Sequence, residues 1–226
     1  MQKNKNYFLY FIIAFLFYMV CNSVFNAPVS TVENAKSLQT AKLYNYENLK
    51  DPEQTSYFSL KDEKLTREKN NYKIKIYPQA NYRIYAVVMS KTRYRWGWDA
   101  EVRPYDLALA WNALMLPENQ KGISYTQSNR WYYYNFDKTF PLTQAYVNAH
   151  SSNHHIIPAN KNVLNAIDKI RTKEKIYMEG YLVNIRGKAY GKEVWCYSSL
   201  TRLDTGDGAC EVFYVKRVIL NGKVYE

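Results

Sequence analysis

The first part of the chain is a continuous apolar stretch. Lys3 and Lys5 precede an uninterrupted run of apolar residues from Tyr7 to Cys21. The run is apolar on every side, unlike a core helix, and its charged start is typical of a membrane-directing segment. Cys21-Asn22-Ser23 is only a weak cleavage site for a signal peptidase, and Phe25-Asn26-Ala27 is worse because of its bulky Phe25. We therefore predict a retained anchor over residues 1–27, with a cleaved signal as the alternative. Whether the segment is retained or cleaved, the positive-inside rule places Lys3 and Lys5 in the cytoplasm and the residues after the segment outside it.

The next stretch is polar and lacks any sustained periodicity. Residues 28–71 carry balanced charges, and the segment KDEKLTREKNN at 61–71 is strongly hydrophilic. Such composition is typical of a solvated tether or a loosely attached arm. We therefore predict that a single globular domain occupies residues 72–226.

Alternation of apolar and polar residues begins at Tyr72. Tyr72, Ile74 and Ile76 alternate with two lysines, which predicts a half-buried strand. Strands are also predicted over 82–89, after a turn at 78–81, and over the ranges 93–102, 122–135, 175–185, 193–200 and 210–220, with turns at 186–192 and 204–208.

Helical periodicity appears in three places within the same domain. Helices are predicted after Pro104, after Pro141 and after Asn160, whose side chain can cap the third helix. A polar loop over 150–158 separates the second helix from the third. The fold class predicted is α+β, a small antiparallel β-barrel or strongly curved sheet with two or three helices, preceded by one amino-terminal hydrophobic helix.

The net charge of the domain indicates which classes of partner it favours, but it gives no information about the fold. The whole chain has a formal net charge of +11. Residues 72–226 contain 22 basic and 13 acidic residues, an excess of +9. Such an excess favours anionic partners such as nucleic acid, lipid headgroups or anionic polysaccharide, and does not choose among them. Nucleic acid is the least expected of these, because the domain is predicted to lie outside the cytoplasm.

All three histidines fall in one short stretch, His150-Ser151-Ser152-Asn153-His154-His155. Histidine is a metal ligand and a general base near neutral pH, so His150, Ser151, Asn153 and His154 are candidate ligand-binding residues. No acidic residue lies within ten positions of the cluster to complete a metal or catalytic set, and no metal or other cofactor is predicted. A polar loop that bonds backbone groups is the alternative role.

The second candidate site is the predicted hairpin tip between Trp195 and Glu211. Arg202 could hold an anion there together with backbone N–H groups, and Asp204 and Glu211 are the further ligand-binding candidates. A structural role, with side chains and glycines closing the turn, is the alternative. Cys196 and Cys210 flank the tip. They could form a disulfide outside the cytoplasm, but a turn centred on Gly206 places them out of register, so the sequence leaves their pairing open.

Two long motifs resemble a family of uncharacterised bacterial proteins with an N-terminal membrane segment. The motifs are H-S-x-N-x-x-I-I-P-A-N, starting at His150, and S-S-L-T-R-x-D-T-G-x-G-A-C-E, starting at Ser198. With the stretches Asp99–Trp111 and Ser128–Tyr134, the likeness covers roughly residues 72–218. It implies no activity, and it supports a bacterial, membrane-anchored protein. Together with the apolar run, this predicts a single pass through the inner membrane and a carboxyl-terminal body that is periplasmic or otherwise extracytoplasmic. Cys196 and the arm are not part of the pattern.

Three functions remain open from the sequence. The first is a non-enzymatic binding or assembly module of the bacterial cell envelope, with an envelope protein or an anionic polymer as partner. The second is a hydrolase acting on an anionic polymer, nucleic acid or cell wall, which requires the histidine stretch and the Arg202 tip to converge. The third is a basic DNA- or lipid-surface binder. Walker, Rossmann, H-E-x-x-H and G-x-S-x-G motifs are absent from the sequence.

Overall fold

The computed structural model describes residues 49–57 and 65–226. The predicted anchor at residues 1–27 lies outside the described residues, as does most of the predicted arm. Within the described ranges, no helix is long and apolar enough to cross a membrane.

The described chain is an α+β fold dominated by strands. The strands are β1 (Glu53–Ser56), β2 (Leu65–Lys69), β3 (Tyr72–Arg93), β4 (Tyr105–Ala110), β5 (Ile123–Ser128), β6 (Trp131–Phe136), β7 (Ser151–Pro158), β8 (Lys175–Ala189), β9 (Lys192–Cys196), β10 (Glu211–Leu220) and β11 (Lys223–Tyr225). The helices are α1 (Gly97–Val102), α2 (Pro117–Lys121), α3 (Gln144–His150) and α4 (Lys161–Lys169), with a 3₁₀ turn at Asn112–Met115.

Five strands pair in a circuit that returns to its start. β3 pairs with β4, and β4 with β7, in antiparallel fashion. β7 pairs with β10 in parallel, and β10 pairs antiparallel with β8, which pairs back with β3. The sheet is therefore strongly curved, with β1, β2, β9 and β11 added to it, while β5 and β6 form a separate hairpin.

The long strand β3 can take part in this curvature because its register shifts twice. The shifts lie between Pro78 and Ala80 against β8, and between Val88 and Ser90 against β4. Such bulges bend a strand and increase its twist. The predicted turn at 78–81 is wrong, because Pro78 and its neighbours continue β3 through the first bulge.

A glycine on β8 allows one close backbone approach. A Cβ atom added to Gly180 would lie 2.0 Å from the carbonyl oxygen of Tyr214 on β10. Only a residue without a side chain fits this distance, so Gly180 permits β8 and β10 to pack as they do.

The main core lies on the inner face of the curved sheet and is covered by α4. The apolar face of α4, with Val163 and Ile167 fully buried, packs into this core. The helix begins where predicted, because the Asn160 side chain accepts a hydrogen bond from Val163 N at 2.9 Å. The predicted helix after Pro141 is also present, as α3.

Further predicted elements differ from the structure. The single strand predicted over 122–135 is the antiparallel hairpin of β5 and β6. The segment after Pro104 is the strand β4 and a 3₁₀ turn, not a helix. All six residues of β4 are buried, and a fully buried strand shows no alternation that separates it from a helix. Residues 150–158 are mostly the buried strand β7 rather than a polar loop, and 97–102 form α1 rather than a strand.

The sheet extends into the predicted arm. β1 and β2 both fall within residues 28–71, and both pair antiparallel with β3. The described sheet therefore begins before Tyr72.

Candidate functional site

The strand β7 lies directly beside the end of the tip. In the parallel pairing of β7 with β10, His154 is opposite Glu211. Successive side chains of a strand point to opposite faces. Ser152 and His154 therefore share one face of β7, and Asn153 and His155 share the other, so the histidine stretch contributes to two separate clusters.

The first cluster, the Glu211 cluster, consists of Tyr82, Ser152, His154, Arg202 and Glu211. The carboxylate of Glu211 accepts a hydrogen bond from Ser152 Oγ at 2.5 Å and pairs with Arg202 Nη1 at 2.5 Å. Arg202 Nη1 also donates to the Tyr82 hydroxyl at 3.2 Å, and that hydroxyl lies 3.1 Å from His154 Nε2. The histidine strand and the tip thus meet in one hydrogen-bonded group.

Burial controls the charges of this cluster. Burial raises the pKa of the Glu211 carboxyl to about 7, although Arg202 and Ser152 favour its charged form. Burial, with the nearby charge of Arg202, lowers the pKa of His154 well below its usual range. The 3.8 Å approach of His154 Nδ1 to Glu211 is therefore a contact of a neutral imidazole and not an ion pair. Glu211 is the group of the cluster that can exchange a proton near neutral pH.

A cavity of about 300 Å³ opens beside the Glu211 cluster. This tip cavity lies between β6, α3 and the tip segment, residues 197–210. Its wall combines aromatic and polar side chains and includes Trp111, Trp131, Tyr134, Asn148, Arg202 and Asp204. Aromatic walls with a few polar groups are typical of sites for small ligands.

The tip segment is held in place by its own hydrogen bonds. Ser199 Oγ lies within hydrogen-bond distance of two acceptors, Asp204 Oδ2 at 2.7 Å and the Thr201 carbonyl at 2.8 Å, and its one proton can be donated to either of them. Ser199 N bonds to the Cys210 carbonyl at 3.0 Å, and Gly206 has a positive φ of 87°. Asp204 therefore braces the tip, and its position on the wall of the tip cavity is secured by Ser199.

The second cluster, the Asp106 cluster, consists of Tyr94, Asp106, Arg130, Asn153 and His155. Asp106 Oδ1 accepts hydrogen bonds from His155 Nδ1 at 2.8 Å and from Arg130 Nη1 at 2.7 Å, while the Tyr94 hydroxyl donates to Oδ2 at 3.1 Å. Burial alone would raise the pKa of Asp106, but His155 and Arg130 hold it below its ordinary value. The carboxylate is therefore charged and holds the side chains of both partners.

A second cavity of about 350 Å³ lies next to the Asp106 cluster. This side cavity is lined by Arg130, Trp131, His155, Trp195 and Tyr197, together with the two cysteines. Its arginine is already engaged, because Arg130 also pairs with Asp99 at 2.9 Å.

Cys196 and Cys210 are free thiols, so the disulfide that the sequence left open is not formed in this structure. Arg103 Nη1 donates to Cys196 Sγ at 3.0 Å, and Asn153 Nδ2 contacts Cys210 Sγ at 3.8 Å. Burial raises the pKa of the Cys210 thiol to about 12. Each sulfur thus has a polar neighbour, and Cys210 is held in its neutral form.

Three of the predicted site residues lie outside both clusters: Asp204 braces the tip segment through Ser199, and His150 and Ser151 lie where α3 meets β7. His150 ends α3, where its ring stacks on that of Tyr146 with centroids 3.9 Å apart and its Nδ1 lies 2.8 Å from the Tyr146 carbonyl. Ser151 Oγ donates to the Val147 carbonyl at 2.9 Å. Both therefore support the end of the helix. Of the other candidates, His154, Arg202 and Glu211 come together, and Asn153 belongs to the Asp106 cluster.

Sequence reasoning did not select Tyr82, Ser152, Asp106 or His155 as site residues. Asp106 was detectable, because it is a lone carboxylate inside the otherwise apolar run Tyr105–Ala110. Tyr82 carried no such signal, since a tyrosine in a strand is commonplace. Among the residues that the structure describes, no group of three or more His, Cys, Asp or Glu side chains is placed to hold a metal ion.

The two clusters and two cavities define the candidate site through geometry alone. Comparisons with protein-family models, with curated proteins and with solved structures find no match to this chain.

Proposed function

We propose that this protein is a non-enzymatic binding module of the bacterial cell envelope. In this proposal, residues 1–27 anchor it in the inner membrane, its body lies outside the cytoplasm, and the tip cavity holds an anionic glycan of the envelope. One observation carries the binding role: two buried N–H donors that lack acceptors belong to residues lining the same cavity.

The two donors are Trp111 Nε1 and Arg202 Nη2. Both atoms are fully buried, and within the described residues neither finds a hydrogen-bond partner. A buried donor without an acceptor costs about 1–3 kcal/mol. Both residues line the tip cavity, and Trp111 is only 1% exposed. A side-chain rotation that brings one of these N–H groups to the cavity surface would let a ligand with acceptor oxygens recover part of this cost.

The charges around the cavity favour a carboxylate-bearing or hydroxyl-rich ligand over a polyphosphate. Arg202 supplies a positive charge, and the excess of +9 over residues 72–226 attracts anions at long range. Asp204 and Glu211 lie on the same wall and offset this attraction locally. A sugar acid suits such a wall, because its hydroxyl groups can donate to the acidic residues while its carboxylate accepts from Arg202.

We also propose that the five paired strands close into a small barrel with the tip cavity at its mouth. The return of the pairings from β8 to β3 supports this. Small five-stranded barrels bind oligonucleotides and oligosaccharides through one face and the loops beside it. The tip segment joins β9 to β10 and is a loop of this kind.

The test is binding of digalacturonate, an acidic disaccharide, to the full chain in detergent. Tryptophan fluorescence and calorimetry report binding, since Trp111 and Trp131 line the cavity. We expect saturable binding that Arg202→Gln weakens by about tenfold or more. Arg171→Gln, which removes the same charge from an exposed position, should bind like the wild type. Binding that is absent, or equal in both variants, would contradict the proposal.

A second candidate function is hydrolysis of such a glycan. It is favoured by the convergence of the histidine strand with the tip, and by a Glu211 carboxyl whose pKa is raised to about 7 beside Asp204. A raised carboxyl pKa suits a general acid, and a second carboxylate could assist an attacking water. Release of shorter uronates by the purified chain, abolished in Glu211→Gln, would favour the hydrolase; intact oligomers after long incubation would exclude it.

A further inference from the structure

The tip cavity and the side cavity adjoin each other. Trp131, Gly206 and Cys210 line both. The junction is formed where β6 begins and where the tip segment turns and returns to β10. A ligand long enough to pass over these shared residues would reach both cavities.

Exposed aromatic side chains are concentrated around the side cavity. Trp131 is 40% exposed, Trp195 63% and Tyr197 49%, and all three line this cavity. Large aromatic residues grouped at the surface mark binding sites more often than chance exposure does. Their flat faces suit two kinds of ligand, the apolar C–H faces of sugar rings and the bases of single-stranded nucleic acid.

The arginines of the two cavities favour sugar over nucleic acid. Arg130 is paired with both Asp99 and Asp106, at 2.9 and 2.7 Å, and Arg202 is paired with Glu211 at 2.5 Å. A polynucleotide and a uronate chain both carry one negative charge per residue, but the hydroxyl groups of the sugar can donate to acidic side chains, whereas a polynucleotide relies on several unpaired cations along its phosphates. Among the described residues lining the side cavity, Arg130 is the one Lys or Arg, and the acidic Asp207 lines the same cavity.

We infer that the ligand is an acidic oligosaccharide that runs from the tip cavity into the side cavity, with Trp131 stacking on a ring at the junction and Trp195 stacking on a ring beyond it. This inference rests on the proposed function, because Arg202 in the tip cavity holds the first sugar. Each cavity, at about 300 and 350 Å³, is near the lower limit of small-ligand sites, so an oligosaccharide must extend from one into the other.

The experiment compares oligogalacturonates from disaccharide to hexasaccharide on the full chain, by calorimetry. We expect the longer chains to bind about tenfold or more tightly than the disaccharide, because additional rings stack in the side cavity. Trp195→Ala should bind the disaccharide like the wild type and lose most of the gain with length. Trp96→Ala, which removes a 90% exposed tryptophan that lines neither cavity, is the matched control and should keep the gain.

The possible outcomes separate this inference from the proposed function. Disaccharide binding with no gain on lengthening overturns the inference and leaves the proposed function standing. A gain that survives in Trp195→Ala overturns the assignment of the side cavity. Absence of binding at every length overturns both. Oligothymidylate serves as the comparison. If its affinity rises with length and depends steeply on salt, and the affinity of the uronates does not rise, then the two cavities bind nucleic acid and the inference is overturned.

Discussion

Ser152 Oγ lies 2.5 Å from Glu211 Oε2, and this hydrogen bond joins the middle of the sheet to the end of the tip. Both residues are buried, and Glu211 is only 1% exposed. Because the hydroxyl donates to the carboxylate, it favours the charged form and lowers the pKa that burial raises.

Replacing this serine should therefore change both stability and protonation. Ser152→Ala is expected to lower the free energy of unfolding by about 1.5–3 kcal/mol, the usual loss for a hydrogen bond to a charged group. It should also raise the pKa of Glu211 further. Urea denaturation and carboxyl NMR titration measure the two effects. Ser124→Ala, at an exposed position of β5, should stay within about 0.5 kcal/mol of the wild type.

The free energy of unfolding should change with pH because Glu211 titrates. Its pKa is about 7 in the folded protein, against 4.5 for an ordinary glutamate, so the folded state binds more protons between these values. Stability therefore falls as pH rises from about 4.5 to about 7, by roughly 3 kcal/mol from this group. The lowered pKa of His154 acts in the opposite direction below pH 6.5. The comparison is therefore between wild type and Glu211→Gln, whose difference in unfolding free energy should change across this window. A constant difference would mean that Glu211 does not titrate there.

The Asp106 cluster should depend strongly on its single carboxylate. Asp106→Asn leaves His155 and Arg130 without the charge that both contact at less than 3 Å. Removing one partner of a buried charge pair costs about 3–5 kcal/mol, and thermal or urea unfolding would show it. Asp137→Asn, an exposed aspartate bonded only to its own turn, is the control and should unfold like the wild type. An equal loss in both variants would argue against a special role for Asp106.

The two described thiols should differ in reactivity. Burial raises the pKa of Cys210 to about 12, so very little thiolate forms at pH 8. We expect iodoacetamide to modify Cys196 well before Cys210 in the folded protein, and both equally fast after denaturation. Peptide mass spectrometry resolves the two sites. A disulfide-linked peptide containing both cysteines in non-reduced protein would show that they pair after all.

Elements whose contacts are local could be predicted from the chain. α4 has an asparagine cap, and its apolar residues recur about once per helical turn. Both signals depend only on residues that are close in the sequence. The strands β8 and β10 were predicted from their β-branched and aromatic residues. The strands β4 and β7 were not, because their residues are buried along their whole length and show no alternation.

The sequence indicated which segments contribute to the candidate site, but not which of their side chains contact one another. Histidines crowded at 150–155 and an arginine with acids at the tip marked the right segments. Their grouping into two clusters depends on which side of β7 each residue occupies, and one position along the strand changes the face. Tyr82 enters the site from β3, 72 residues away from His154 in the chain.

An apolar run over residues 7–21, an α+β composition and two segments rich in chemical groups can be recognised in the chain alone, because periodicity, caps and charge act over a few neighbouring residues. The burial of Glu211 beside Ser152 and Arg202, and its pKa of about 7 rather than 4.5, follow from the three-dimensional arrangement of the strands. The reason is that burial and its effect on charge come from strands far apart in the chain, which meet only because the sheet curves around the core.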